Sequence, residues 1–297
     1  MELALYDPVC GYYRRPKTRV GYGADTDFFT ASTSGPVFGE LICAAAVTLL
    51  QGRNPRDYTF VEIGAEPGRE VLTGVTHPFA AARTARLGDP LELSGRCVVF
   101  SNELFDAQPF RRFVFRQNAW REIGVCLSGD TLSYREMPTI APGELPATAP
   151  EGYVIDAPLA ARTLAEQLAA PTWTGLFVAC DYGKSWAELT THCPEGTARA
   201  YYRHSQSNDL LARPGDQDLT CHVCWDWLKS PLSLQGFGEV AVESQEAFLV
   251  HHASAHIAAV TSAEAARFSP KKQSLLQLLH PSHLGQKFQV LHGFREG

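Results

Sequence analysis

The sequence predicts an α/β protein organised on a parallel sheet, and three stretches carry that prediction. Thr59-Phe60-Val61-Glu62-Ile63 is an apolar run that enters a turn punctuated by Gly64 and Gly68. Residues 96–101 and 174–180 form two more apolar runs, the first ending in Asn102, Glu103 and Asp106, the second in Asp181-Tyr182-Gly183. Near-continuous apolar runs suit strands covered on both faces. In open sheets of that kind small molecules bind beyond the carboxyl ends of the strands, where glycine turns and helix N-termini present free N–H groups. The Gly64–Gly68 turn and Asn102, Glu103 and Asp106 are therefore the first candidates for a ligand site. For Asp106 a helix cap or turn is an equally good reading.

Taken in order, residues 1–39 are dense in Tyr, Gly, Asp and Phe without a regular period, which predicts an ordered loop region. Its segment Asp25-Thr26-Asp27-Phe28-Phe29-Thr30-Ala31-Ser32 suits the lining of a pocket and the cap of a core equally well. Val37, Phe38, Leu41, Ile42, Ala45 and Leu49 recur at helical spacing behind Pro36, a residue suited to a first turn. Beyond Gly68, short helices are expected over 70–75 and 80–87, followed by a turn at Gly88-Asp89-Pro90. Alternating segments at 110–115, 119–126 and 131–136, broken by Gln117-Asn118 and Ser128-Gly129-Asp130, read as hairpins. The Pro-, Ala- and Gly-rich residues 138–152 read as a surface linker, and 159–168 as an amphipathic helix. Residues 199–204 and 213–220 read as polar loops, and 224–228 as the opening of a helix. Strands at 237–242 and 288–294 enclose helices at 247–260 and 271–279.

A chain of 297 residues, 45% hydrophobic, can bury a large core, and one large domain with insertions is expected. Its net charge of −6 lacks the basic excess of a nucleic-acid protein. No apolar run is long enough to span a bilayer and residues 1–7 lack the pattern of a signal peptide, so a cytoplasmic protein without a membrane partner is expected. The eight scattered cysteines suit reduced, buried thiols. Cys221-His222-Val223-Cys224 has the spacing of half a zinc site, but Cys193, His192 or His204 must fold back to complete it, and no metal is expected. His251, His252 and His256 do not share one helical face and are read as separate surface histidines, although the last two have the i, i+4 spacing of a metal pair.

Several fragments in fixed order resemble the MidA-like family of S-adenosylmethionine-dependent methyltransferases, whose mitochondrial members assist respiratory complex I assembly by methylating an arginine. They run nearly end to end. The first are Tyr6-Asp7-Pro8 with Gly11-Tyr12-Tyr13, Asp27-Phe28-Phe29-Thr30 with Phe38-Gly39-Glu40, and Val61-Glu62-Ile63-Gly64. Asn102-Glu103-Leu104-Phe105-Asp106-Ala107, Asp181-Tyr182-Gly183 and Arg199-Ala200-Tyr201 with Arg203-His204 follow. The last are Pro214-Gly215 with Gln217-Asp218-Leu219-Thr220 and His222-Val223, and Leu284-Gly285 with Phe288 and Val290-Leu291. The resemblance implies a class I, Rossmann-like methyltransferase fold: a seven-stranded, mostly parallel sheet whose last strand is antiparallel, with an inserted β-hairpin and helical subdomain. It further implies an N-terminal region at 1–58 packed on a methyltransferase-like domain at 59–297, with insertions at about 110–152 and 184–235.

The same resemblance implies S-adenosylmethionine as cofactor, held by Glu62, Gly64, Ala65, Gly68, Asp27 and Asn102, with Glu103 and Asp106 as catalytic carboxylates and a protein arginine as substrate. Such a donor needs little beyond positioning, with a carboxylate to hold a guanidinium or take its proton. Two features depart from the family pattern. Glu66 stands where the middle glycine of the turn is expected, bringing negative charge toward the donor's carboxylate, and Pro67 removes one backbone donor. Arg69–Gly95 shows no apolar strand ending in an acidic residue for the ribose, with Asp89 or Glu92 as substitutes. Two functions are thus open: an active methyltransferase, or a degenerate homologue serving as a binding or assembly module that has lost the donor. A dehydrogenase binding NAD is a weaker third, since no acidic partner or hydride-transfer constellation accompanies the turn.

Overall fold

The computed structural model describes residues 1–28, 30–265 and 269–297, so Phe29 of the Asp27–Thr30 fragment lies outside the described residues. Two compact units make up the chain. The first comprises Met1–Phe28, Phe105–Leu164 and Gly183–Trp227, the second Phe29–Leu104, Ala165–Tyr182 and Leu228–Gly297. The helices Leu159–Ala169 and Trp225–Leu234 contribute residues to both.

The second unit holds a six-stranded sheet in the order Ala241–Ser244, Gln289–Arg295, Trp173–Asp181, Gly95–Asn102, Thr59–Ile63, Ala81–Ala85. Trp173–Asp181, Gly95–Asn102, Thr59–Ile63 and Ala81–Ala85 run parallel, whereas Gln289–Arg295 is antiparallel to both its neighbours, as the final strand is expected to be. Helix Pro36–Leu49, with Pro36 in its first turn, covers one face, burying Phe38 and Leu41 against Phe60, Val98 and Phe100. The ring of Phe100 lies 6.3 Å from that of Phe38 and 5.8 Å from that of Phe60. Helices Gln245–Ala263 and Pro270–Leu279 add Phe248, Leu249, Leu275 and Leu278 to the same core.

Between Gly68 and Gly95 the structure corrects the expectations. Residues 70–75 form turns, and 80–87 holds the strand Ala81–Ala85 in place of a helix. Its alanines favour helix, but its main chain is taken up in a parallel ladder from Thr59 opposite Ala81 to Ile63 opposite Ala85. Propensity is a weak prior where a sheet edge offers full pairing. Among the described residues the sheet has six strands and not seven. Arg86–Ser94 is all that joins Ala81–Ala85 to Gly95–Asn102, and a further parallel strand with its crossover needs about a dozen residues or more.

In the first unit the expected hairpins form a four-stranded antiparallel sheet in the order Thr131–Met137, Ala119–Ser128, Arg111–Arg116, Val154–Ala157. Gln117 and Asn118 both take positive φ, 51° and 57°, the type I′ geometry that matches the twist of a two-residue hairpin. Phe113, Phe115, Tyr153, Ile155 and Leu189 form its core. Of the segments read as polar loops, 203–204 and 213–217 are turns and bends, but the rest are strands: Arg199–Tyr202 pairs with Ser205–Ser207 and Asp218–Thr220, and Ala200 and Leu219 bury against Leu5 and Tyr12. Helix Trp186–Thr191 opens on a capping box in which the Ser185 side chain accepts from the Glu188 N–H and Glu188 reaches back to the Ser185 N–H.

Candidate functional site

Glu62 shares the Phe60 face of its strand and is buried. Its Oε2 accepts the Val71 N–H at 2.8 Å, tying the returning chain beneath the turn. Burial pushes the carboxyl up to about 7, the bond from Val71 pulling the other way. Because the folded value lies above the unfolded one, this group stabilises the fold fully below about pH 4.5, and that contribution is lost as pH rises through about 7. Glu62→Gln is expected to abolish this loss. Between pH 4.5 and 8 the unfolding free energy of the wild type should fall relative to the variant by on the order of 2–3 kcal/mol, read from urea titrations. Parallel pH profiles would show that Glu62 carries no such linkage.

Above Glu62 the turn faces solvent, with Gly64, Pro67 and Gly68 exposed and Ala65 and Glu66 partly so. Gly64 has φ 80°, a conformation that strains any side chain, and a Cβ there would also have to displace Leu104 Cδ1, which lies 2.6 Å away. At Gly68 nothing stands within 4 Å of that direction. At the end of the adjoining strand Asn102 Nδ2 donates to Glu103 Oε1 at 3.0 Å. Only the amide nitrogen can donate to a carboxylate, so the Asn102 oxygen is turned the other way, and it is buried with no hydrogen-bond partner among the described residues. Glu103 adopts φ 51°, while its N–H bonds the Cys180 carbonyl at 2.9 Å and extends the ladder past the strand. Glu62, Gly64, Ala65, Gly68, Asn102 and Glu103 thus all belong to the second unit, at the carboxyl ends of neighbouring parallel strands.

Asp27 and Asp106 belong to the first unit. Asp27 is fully buried: Oδ2 accepts from Tyr12 Oη at 2.7 Å and from Lys17 Nζ, and Oδ1 from the Arg203 N–H at 3.0 Å. The Lys17 ammonium lies 5.5 Å from the ring centres of both Tyr12 and Tyr202. A cleft of about 570 Å³ opens beside Tyr12, Arg15, Lys17, Asp25, Tyr202 and Arg203. Asp106 is buried near Tyr6 and Tyr13, whose phenols burial holds far above their ordinary value, helped by the charges of Asp218 and Asp106. Sequence reasoning missed Lys17, which no motif marks.

The histidines of helix Gln245–Ala263 correct another expectation. His251 and His252 both meet Glu243, and His256 bonds Glu40 at 3.0 Å, so none stands alone, although His251 is exposed. Among the described residues no third ligand joins Cys221 and Cys224, both of which are buried.

Residues 80–237 match the profile of a family described as "Putative S-adenosyl-L-methionine-dependent methyltransferase". The Mus musculus protein arginine methyltransferase NDUFAF7, mitochondrial, is 23% identical over 369 residues, covering 99% of this chain and 81% of that protein. Its Danio rerio counterpart is 25% identical over 296 residues, covering 77% and 66%. A COG1565 superfamily member from Burkholderia thailandensis, solved with S-adenosyl-homocysteine bound, superposes with a TM-score of 0.85 at 24% identity over 100% of this chain and 87% of that one. That likeness establishes the fold as that of a methyltransferase-type α/β protein.

Proposed function

This chain belongs to the MidA-like family of S-adenosylmethionine-dependent methyltransferases, and we propose that it methylates an arginine side chain of a protein. S-adenosylmethionine is the cofactor, and the residues present fit it. The partnerless buried Asn102 oxygen is an acceptor for a hydroxyl or ammonium of the donor, and the open, solvent-facing turn leaves room beside Gly68. Glu66 lies partly exposed in that turn, where water screens its charge. We assign donor binding to Glu62, Gly64, Ala65, Gly68 and Asn102, with Glu62 fixing the turn from below.

Bound, the cofactor supplies an electrophilic methyl group. The work of the chain is to orient the acceptor and manage one proton. Glu103, steered by the Asn102 amide, accepts N–H groups of a guanidinium and takes the proton displaced as the nitrogen gains its methyl. Asp27, held by Tyr12, Lys17 and the Arg203 N–H, and Asp106 belong to the first unit and take no part in this assignment. The arginine preference rests on the two relatives named protein arginine methyltransferases.

The observation that carries donor binding is the unmet Asn102 acceptor. Calorimetric titration should show one S-adenosylmethionine per chain, and Asn102→Leu should weaken it by roughly tenfold or more without lowering the melting temperature, the value of one lost polar contact. No heat at millimolar donor would overturn the reading in favour of a module that has lost its cofactor. Methyl transfer detected by mass spectrometry on lysine but not arginine would overturn the substrate.

A further inference from the structure

We propose that Glu243, His251, His252 and His292 form a binding site for a divalent cation of the zinc class, independent of methyl transfer. Three elements of the second unit bring these side chains together. Glu243 lies on strand Ala241–Ser244, His292 on the neighbouring strand Gln289–Arg295, and His251 and His252 on the helix that follows Glu243. His292 pairs with Ala241, two residues from Glu243, so both point to one face of the sheet. Glu243 Oε1 lies 2.9 Å from His252 Nε2 and 2.9 Å from His292 Nε2, and Oε2 lies 2.5 Å from His251 Nδ1.

Adjacent residues on a regular helix diverge by about 100°, so His251 and His252 are an unusual pair to share one carboxylate. The helix breaks immediately after them, at Ala253 with φ −124° and ψ 19°. The ligating atoms of Glu243, His251 and His252 all lie within 4.8 Å of one another. Tetrahedral zinc holds its ligand atoms roughly 3.3 Å apart, so small rotations bring these three into range, and His292, held to the same carboxylate, would complete a set of three neutral imidazoles and one carboxylate that zinc favours. In the metal-bound form each ring carries its proton on the nitrogen facing away from the ion. Burial grades outward from His292 (11% exposed) to His251 (61%), which leaves a path from solvent. The function inferred is a staple joining the last two strands to the helix.

The test uses the full chain stripped with chelator and titrated with zinc and with cobalt(II). Expected are one ion per chain at micromolar affinity or better, a visible cobalt spectrum of tetrahedral intensity, and a melting temperature that rises with zinc. A variant carrying His251→Ala and His252→Ala should bind roughly a hundredfold more weakly and lose the zinc-dependent rise, while His256→Ala on the same helix should retain both. If the double variant does not fold, the cobalt spectrum of Glu243→Gln against wild type decides. Absence of stoichiometric uptake, or uptake that none of these variants alters, would overturn the site and leave a carboxylate receiving three imidazole hydrogen bonds.

Discussion

Asp156→Ala is expected to lower the unfolding free energy of the first unit by about 3–5 kcal/mol. Its carboxylate is shielded from solvent and takes four bonds: Nε of Arg112 at 2.7 Å, Nη2 of Arg112 at 3.1 Å, and the Thr197 and Ala198 N–H groups at 2.8 Å each. Truncation removes the partner of a guanidinium only 18% exposed and strands two main-chain donors at the start of the Arg199–Tyr202 strand. Both losses fall on groups that cannot rehydrate without opening the unit. Four of the five tryptophans lie in this unit, so intrinsic fluorescence during urea unfolding reports on it. A loss below about 1 kcal/mol would mean that water already reaches the pair.

Phe100→Ala is expected to cost the second unit about 3–5 kcal/mol through the lost transfer energy and the cavity left between Phe38 and Phe60. Phe100 is wholly buried on the central strand, two residues before Asn102, with packed sheet on both sides and a helix above, so the neighbours have little freedom to close the gap. Phe100→Leu, which keeps most of the volume, should cost under about 1.5 kcal/mol. Chemical denaturation followed by circular dichroism separates the two. Equal losses for both variants would point to an aromatic contribution in place of a cavity.

How far the site was legible follows from what each signal reports. The position of Asn102 and Glu103 was legible because a polar pair closing an apolar run marks the carboxyl end of a buried strand, and the structure puts them at that end. The strand Ala81–Ala85 was hidden, since an exposed edge strand of alanine and arginine has no apolar period to show. Arg203 and His204, at φ 47° and 60°, turn a hairpin without Gly or Asn, the residues that usually announce one. Lys17 reaches Asp27 through a loop with no period at all.

By itself the sequence determined the α/β class, the three central strands with their polar ends, the hairpin meander and the family, because burial leaves a period along each element and glycine marks its turns. Only the tertiary structure decided that, among the described residues, the sheet has six strands and Asn102 keeps an unmet oxygen, and that His292, 49 residues from Glu243, joins two helix histidines on one carboxylate. These depend on strand register and on how elements far apart in the chain are laid together. A pattern read along one element carries no information about which neighbour its side chains will meet.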